Sequence, residues 1–328
     1  TCYVFSCTEN FEESFRSLLT FVQEPYFTPE TVAKEQGIIG QEIRMYDDNP
    51  GWRVLFNLLS ALYVNHPIRT DIAGTVESIA QITDKLLYRC YRAFYNLSNM
   101  AVAVAGNFDP AAAERILEET LKPQAPVKIE RPAVDEPPRA AKPEAVQRLD
   151  VSEPLFYFGY KLSPDPDPRR ELRHQAVLNI LLDVLAGPAS DFYEEMNRKG
   201  LLNAAFGAEV FGGRGYLAAL FGGESRDPRA VYAAFCQMLE EKQRTGLSEE
   251  DFLCCKNALY GRSLRDINDV EAAGDALFAY ELMGLGLFDL PELIASVELS
   301  DLERSLREDF RPDARAISII LPLDAATR

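Results

Sequence analysis

Two glutamates at one helical spacing are the first residues in this sequence whose types and positions could do chemistry. Thr28-Pro29 reads as a helix cap with proline at the first helical position, opening a helix to about Tyr46. On that helix Glu35, Ile38, Ile39 and Glu42 stand at i, i+3, i+4 and i+7, which places both carboxylates on an apolar stripe. An ionised carboxylate is costly to bury unless a cation, a metal ion or several donors satisfy it, so the pair marks a candidate site. The competing expectation is a slight rotation of the helix that leaves both acids at the edge of the stripe, solvated or paired with Lys34 or Arg44.

Other chemistry-bearing residues read as structural. His174 shares a helical face with Leu178, Leu181 and Leu185, the pattern of a packed histidine, and His66 precedes Pro67 in a turn. Cys254-Cys255 is a vicinal pair without a second pair at zinc spacing. Gly212-Gly213-Arg214-Gly215 joins two strand-like runs and is a hairpin rather than a phosphate loop.

The elements that must position these residues follow from periodicity and punctuation. Residues 2–7 read as a buried strand, and Asn10 can cap a helix with Phe11, Phe15, Leu18, Leu19 and Val22 on one face. After Asp47-Asp48-Asn49-Pro50-Gly51 comes a helical run with Trp52, Leu55, Phe56, Leu59 and Leu62. Thr83 caps a helix to about Tyr95, residues 100–105 form a strand, and Asp109-Pro110 begins a helix to about Leu121. Residues 122–145 hold six of the twenty prolines without an apolar period and read as a linker.

The second half repeats the order of the first. Phe27-Thr28-Pro29-Glu30 and Leu247-Ser248-Glu249-Glu250 match at an offset of 247 − 27 = 220, and the helix through Phe94 with strand 100–105 matches the helix through Phe310 with strand 316–321. At that offset Glu35 faces Cys255 and Glu42 faces Arg262, so the carboxylate pair belongs to the first copy alone. The expected fold class is α+β: two tandem homologous units, each a mainly antiparallel sheet with helices on one face. The expected boundaries are 1–121 for the first unit, 122–145 for the linker and 146–328 for the second unit. Before its Tyr216 strand the second unit carries a strand at 155–160, a helix at about 169–185 and a hairpin, whereas the first carries none of these. The first unit is therefore expected to lack about 66 residues ahead of Thr1, by analogy with Asp150 to Tyr216.

Composition narrows the classes of function. With 34 Lys+Arg against 51 Asp+Glu the net charge is −17, and without a basic run neither nucleic acid nor an anionic membrane is an expected partner. No stretch is expected to reach the roughly 18 apolar residues of a membrane span. The six cysteines form no C-x-x-C pair and read as reduced thiols of a soluble, cytoplasmic protein.

The stretch Tyr26–Arg44 (YFTPETVAKEQGIIGQEIR), the His66-Pro67 turn, Gly74–Ile79 (GTVESI) and Phe94–Met100 (FYNLSNM) followed by a strand and Gly106 together resemble one family. It is that of the inverted-zincin, or inverzincin, metallopeptidases, of the insulin-degrading enzyme, pitrilysin and mitochondrial processing peptidase type, in particular their bacterial cytosolic members. The resemblance covers essentially the whole chain and implies a LuxS/MPP-like metallohydrolase fold in two tandem copies, agreeing with the repeat found independently.

It also implies a function: zinc-dependent hydrolysis of peptides in a chamber between the two units. In such enzymes two histidines and a general-base glutamate sit in H-x-x-E-H, and a later glutamate completes the zinc site. Glu42 matches that third ligand and Glu35 the family's supporting acid. Neither His66 nor His174 lies in H-x-x-E-H, so no catalytic residue is expected within these 328 residues, and the fragment alone is expected to be inactive. Where active relatives place an Arg and a Tyr in the second unit, Asn197 and Asn203 stand here, and Leu97 replaces a proline. Zinc is the implied cofactor and peptides, weakly favoured if basic, the implied substrates; a homodimer, or a heterodimer with a sibling, is the implied assembly. The alternative is a non-catalytic partner subunit that completes the chamber of an active sibling.

Overall fold

The computed structural model describes residues 1–323. In chain order its elements are α1 (Phe11–Gln23), α2 (Pro29–Asp47), α3 (Pro50–Leu62), α4 (Val76–Ile79), α5 (Asp84–Phe94), α6 (Pro110–Thr120), β1 (Glu144–Leu149), β2 (Leu155–Leu162) and α7 (Pro168–Ala186). There follow α8 (Asp191–Arg198), β3 (Gly207–Gly213), β4 (Tyr216–Glu224), α9 (Pro228–Thr245), α10 (Glu249–Asp266), α11 (Val270–Glu281), α12 (Asp289–Ala295), α13 (Leu299–Glu308) and β5 (Arg315–Pro322). The fold is α+β. From Lys122 the Pro-rich stretch carries no helix or strand until β1 begins at Glu144.

The five strands form one sheet in the order β1-β5-β2-β4-β3, antiparallel except for the parallel pair β1/β5. Phe158 of β2 stands opposite Phe221 of β4 on one side and Ile317 of β5 on the other. Strand alternation sends Phe156, Phe158 and Tyr160 into the main core with α7, α9 and α13. The opposite face, through Ala218, Leu220 and Ala316, is covered by Leu58, Leu59 and Leu62 of α3. Both faces are dry, which is why β4 and β5 read as continuous apolar runs rather than alternating ones. Gly159 permits the close fit: a Cβ there would lie 2.8 Å from the Ala219 carbonyl and the Leu220 side chain.

By packing, the chain forms two compact units that are not contiguous in sequence. One comprises Thr1–Gln41, Thr75–Pro132 and Ile267–Gly284; the other comprises Glu42–Gly74, Ala133–Asp266 and the residues from Leu285 onward. The expected boundary at 122–145 does not divide these packed units, which exchange segments between the halves of the sequence. Helix α3, from the first half, belongs to the unit with the sheet, and α11, from the second half, belongs to the other unit.

Local geometry repeats at the spacing seen in the sequence. Helices α2 and α10 open 249 − 29 = 220 residues apart, as do α3 and α11 at 270 − 50 = 220. Gln36 of α2 donates its Nε2 to the carbonyls of Ile79 and Ile82 at 2.9 and 2.8 Å, closing the end of α4. At the position 220 residues on, Lys256 donates its Nζ to the carbonyls of Ala295 and Val297, both at 2.8 Å, closing the end of α12. Helix-terminal carbonyls lack intrahelical partners, so the two side chains do the same job on equivalent short helices.

Three sequence expectations are corrected. Residues 2–7 and 100–105 are not strands in this chain: among the described residues neither lies in a ladder, and residues 2–7 are mostly exposed rather than buried. Asn10 precedes α1 but makes no side-chain cap; it adopts the left-handed conformation, φ 55°, that asparagine tolerates. One helical run, Pro168–Arg198, is long and apolar enough by composition to cross a membrane. Its leucines and isoleucine (Leu172, Leu178, Ile180, Leu181, Leu182, Leu185) are buried against the rest of the protein.

Candidate functional site

Helix α2 is positioned by one face. Thr28 and Thr31 exchange backbone and hydroxyl hydrogen bonds at its start, 3.1 Å from the Thr31 amide to Thr28 Oγ1 and 2.9 Å in return, fixing where the helix begins. Val32, Gln36, Gly40 and Ile43 turn inward or partly inward. Glu35 and Glu42 are exposed on another face, together with Ile38 and Met45. The carboxylates therefore do not lie in the buried stripe. The helix is rotated by roughly one residue from that expectation, because Gln36 turns inward to close α4 and brings Val32, Gly40 and Ile43 with it.

Glu42 is nonetheless held. Its Oε1 accepts the Tyr46 hydroxyl one turn along the helix at 2.6 Å, and that bond raises the tyrosine pKa. The Tyr46 ring stacks on Trp52 with centroids 4.3 Å apart and an interplanar angle of 14°. Trp52 is fixed in turn: its indole N–H donates to Asp71 Oδ2 at 2.8 Å, and its backbone N–H donates to Asn49, the cap of α3, at 3.0 Å. Asp71 also pairs with Arg53 at 3.4 Å. A carboxylate with one oxygen so oriented retains a second for a cation. Asn49 and Pro50 are what the sequence needs here, since they start α3 at once and bring Trp52 back beneath Tyr46.

Zinc sites of this chemistry use three protein donors, of which a carboxylate is an apt one. Among the described residues no group of three His, Cys, Asp or Glu side chains is placed to hold a metal ion, so these residues alone do not fit the metal.

The other sequence candidates are held by local structure. Asn203 turns the chain into β3, its Oδ1 accepting the Ala205 amide at 2.8 Å and its Nδ2 donating to Glu224 at 3.2 Å. Asn197 lies exposed on α8, where its carbonyl accepts the Gly200 amide at 2.9 Å. His174 Nε2 lies 2.9 Å from Asp309; burial pushes the imidazole pKa down, but the Asp309 bond and charge outweigh it and the net shift is upward. His66 caps a short turn through Nδ1, with its ring against Tyr216. The Gly212–Gly215 segment closes the β3–β4 hairpin, with Gly215 at φ 81°.

Sequence reasoning missed an ion pair made by a buried lysine. Lys161 of β2 is only 4% exposed, and its Nζ donates to Glu136 at 2.7 Å from beneath the Tyr63 ring. Glu136, inside the Pro-rich stretch, also accepts the backbone N–H groups of Val64, Asn65 and His66 at 2.7–2.8 Å. Burial alone would raise its pKa, but Lys161 and the three amides bring it down to about 2. The available signal was a single lysine in an otherwise apolar strand, LFYFGYKL.

Comparison with known proteins gives these features a context. Residues 81–259 match the sequence profile described as the peptidase M16 inactive domain. The Bacillus subtilis protein named "Uncharacterized zinc protease YmfH" is 35% identical over 326 residues, 98% of this chain and 76% of its own length. The crystal structure of an M16-like peptidase from Alicyclobacillus acidocaldarius superposes with a TM-score of 0.89 at 31% identity, covering 96% of this chain and 76% of that one. A protease from Helicobacter pylori shares the fold, with a TM-score of 0.84 at 18% identity over 95% of this chain and 77% of that one.

Proposed function

Because the chain belongs to the M16 family of peptidases, we propose that it is part of a zinc-dependent peptidase in which Glu42 is one protein donor to the metal. The observation that carries this reading is the contrast between equivalent positions. Glu42 is exposed and oriented by Tyr46, whereas its counterpart Arg262 on α10 is spent in a 2.7 Å ion pair with Asp183. Glu35, two turns earlier on the same face, supports the donors. The remaining donors and the general base come from polypeptide outside these 328 residues, and the two halves are read as tandem copies of one unit. Peptides are the substrate class. Six free thiols, one of them the buried Cys236, fit a reducing cytoplasm.

A second reading, a non-catalytic partner subunit of a heterodimeric peptidase, is favoured by one observation. Asn197 and Asn203 serve a helix end and a turn rather than any reacting group.

Zinc content and hydrolysis of a quenched peptide library, measured on the full-length protein and its Glu42→Gln variant, separate the two. About one zinc and cleavage in the wild type, both lost in the variant, is the expected result. A folded full-length protein that binds no zinc and cleaves nothing overturns the peptidase reading and leaves the partner role.

A further inference from the structure

We propose that Cys254 and Cys255 of α10 form a dithiol site for a small trivalent organoarsenical, a thiophile that brings one bond of its own and takes two sulfurs to complete three. The site uses neither Glu42 nor Glu35.

Both cysteines line one cavity of about 90 Å³, formed where the end of α7 and the start of α8 meet α9 and α10. Neighbouring residues on a helix project about 100° apart. Cys254 accordingly lies open to water, while Cys255 reaches inward and packs at the edge of the main core. The pair is held as a dithiol by its own backbone. Consecutive Cα atoms across a trans peptide are about 3.8 Å apart, and the chain has no cis bond. A disulfide spans about 4.4–6.8 Å between Cα atoms. On an intact helix the two sulfurs therefore cannot close on each other directly, whereas an atom set between them lengthens the link.

Donor number and charge select that atom. Among the described residues no His, Asp, Glu or further Cys joins the pair in a group of three that could hold a metal ion, so zinc, which takes four donors, is not favoured. A copper(I) dithiolate needs only two sulfurs but carries a net negative charge. The cavity opposes that charge, since Asp191 and Asp251 outnumber Lys242 and Asp183 is tied to Arg262. Burial and the charge of Asp183 push the Cys255 thiol up to about 11, so Cys255 is protonated at neutral pH.

An organoarsenical meets both conditions. Two S–H groups react with R–As(OH)₂: two As–O bonds break, two As–S bonds form and two waters leave. Arsenic stays trivalent, no electron is transferred, and the product is neutral. The third bond, to carbon, sets R against the apolar wall of Val184, Phe192 and Met238. Size limits R, because a dry cavity of roughly 150 Å³ takes a benzene ring. At about 90 Å³ this cavity suits a methyl group instead. The corresponding positions of α2 are Lys34 and Glu35, which hold no sulfur, so one group per chain is the expected stoichiometry.

The test is titration of the full-length protein with methylarsonous acid, read by native mass spectrometry and by alkylation of Cys254 with iodoacetamide. One methylarsenic group is expected to bind and to protect Cys254. Cys254→Ser and Cys255→Ala are each expected to weaken binding at least ~100-fold, because losing either sulfur forfeits the chelate. Cys254 is exposed, so its serine variant should keep the wild-type unfolding midpoint and carries the test even if Cys255→Ala is poorly folded. Inorganic arsenite, with a hydroxyl where the methyl would meet the apolar wall, is expected to bind about 10-fold more weakly. The proposal is overturned if Cys254→Ser binds as tightly as the wild type, or if saturated protein alkylates at Cys254 as fast as free protein. Equal affinity for arsenite also overturns it, since that would require a third donor from the protein.

Discussion

Helices α2 and α10 begin 220 residues apart, bury corresponding positions, and differ at the two places where chemistry is at stake. Val32, Gln36, Ile39 and Ile43 turn wholly or partly inward on α2, as Phe252, Lys256, Leu259 and Ser263 do on α10. Gln36 and Lys256 close the short helices α4 and α12 in the same way. Glu35 and Glu42, however, stand open, while Cys255 packs at the edge of the main core and Arg262 is tied to Asp183. Burial pushes the Cys255 thiol up to about 11, so that copy presents neither a thiolate nor a carboxylate at neutral pH. On the proposed function, the shared framework serves folding and the divergent open positions serve the chemistry. Each prediction below attacks one side of that division.

The largest effect is expected where the framework holds a buried charge. Lys161→Met leaves Glu136 with three amides but no counter-ion, and should cost about 3 kcal/mol, because breaking a buried pair strands the surviving charge. Trp52, the sole tryptophan, lies in the same compact unit, so urea unfolding followed by its fluorescence reports the loss directly. The double variant Lys161→Met/Glu136→Gln should recover part of it. The pH dependence has a definite sign: the folded pKa of Glu136, about 2, is below its ordinary 4.5. The stabilisation is therefore complete above about 4.5 and fades as pH falls from there toward 2. An unchanged unfolding midpoint in Lys161→Met, or one insensitive to pH across that window, removes this anchor from the framework.

A middle effect tests the equivalence itself. Gln36→Met and Lys256→Met should each cost about 1–2 kcal/mol, since each removes two hydrogen bonds to helix-end carbonyls while keeping the length of the side chain. Hydrogen exchange at the ends of α4 and α12 should rise in the respective variant and not in the other. If only one substitution has an effect, the two helices are alike in outline but not in energetics.

How much of this was legible follows from where each signal resides. Helix starts at Thr28-Pro29, Thr83 and Asp109-Pro110 were readable because a cap and its first turn are local chemistry, and the structure shows those side chains at work. The β3–β4 hairpin was readable for the same reason. The rotation of α2 was not, since a stripe of Ile38 and Ile39 fits the helical period as well as one of Val32, Gly40 and Ile43. Only the long-range bonds of Gln36 decide between them. Strands were expected at 2–7 and 100–105 from their apolar composition, but a ladder needs a neighbour that no local pattern reveals. The Glu136–Lys161 pair joins a proline-rich stretch to a strand 25 residues on, and neither half carries a motif. Nor does a repeat offset tell which half a helix will pack in, as the placement of α3 and α11 shows.

The smallest effect on stability, and the sharpest on the open face, is expected from Tyr46→Phe. The hydroxyl–carboxylate bond is solvent-exposed, so its loss should move the unfolding midpoint by no more than a fraction of a kcal/mol, because water replaces the donor. The ring remains, and with it the stack on Trp52, so the tryptophan emission of the folded state should be nearly unchanged. What changes is the freedom of Glu42. Side chains that orient a metal donor typically contribute 10–100-fold in metal affinity, so on the full-length protein the variant should weaken zinc binding by about that factor while leaving the fold intact. A variant that is equally stable and holds zinc equally well would show that Tyr46 belongs to the framework and that Glu42 needs no such support. A variant that loses metal affinity without losing stability places the hydroxyl on the functional side of the division, a role its counterpart Asp266 on α10 has no phenol to play.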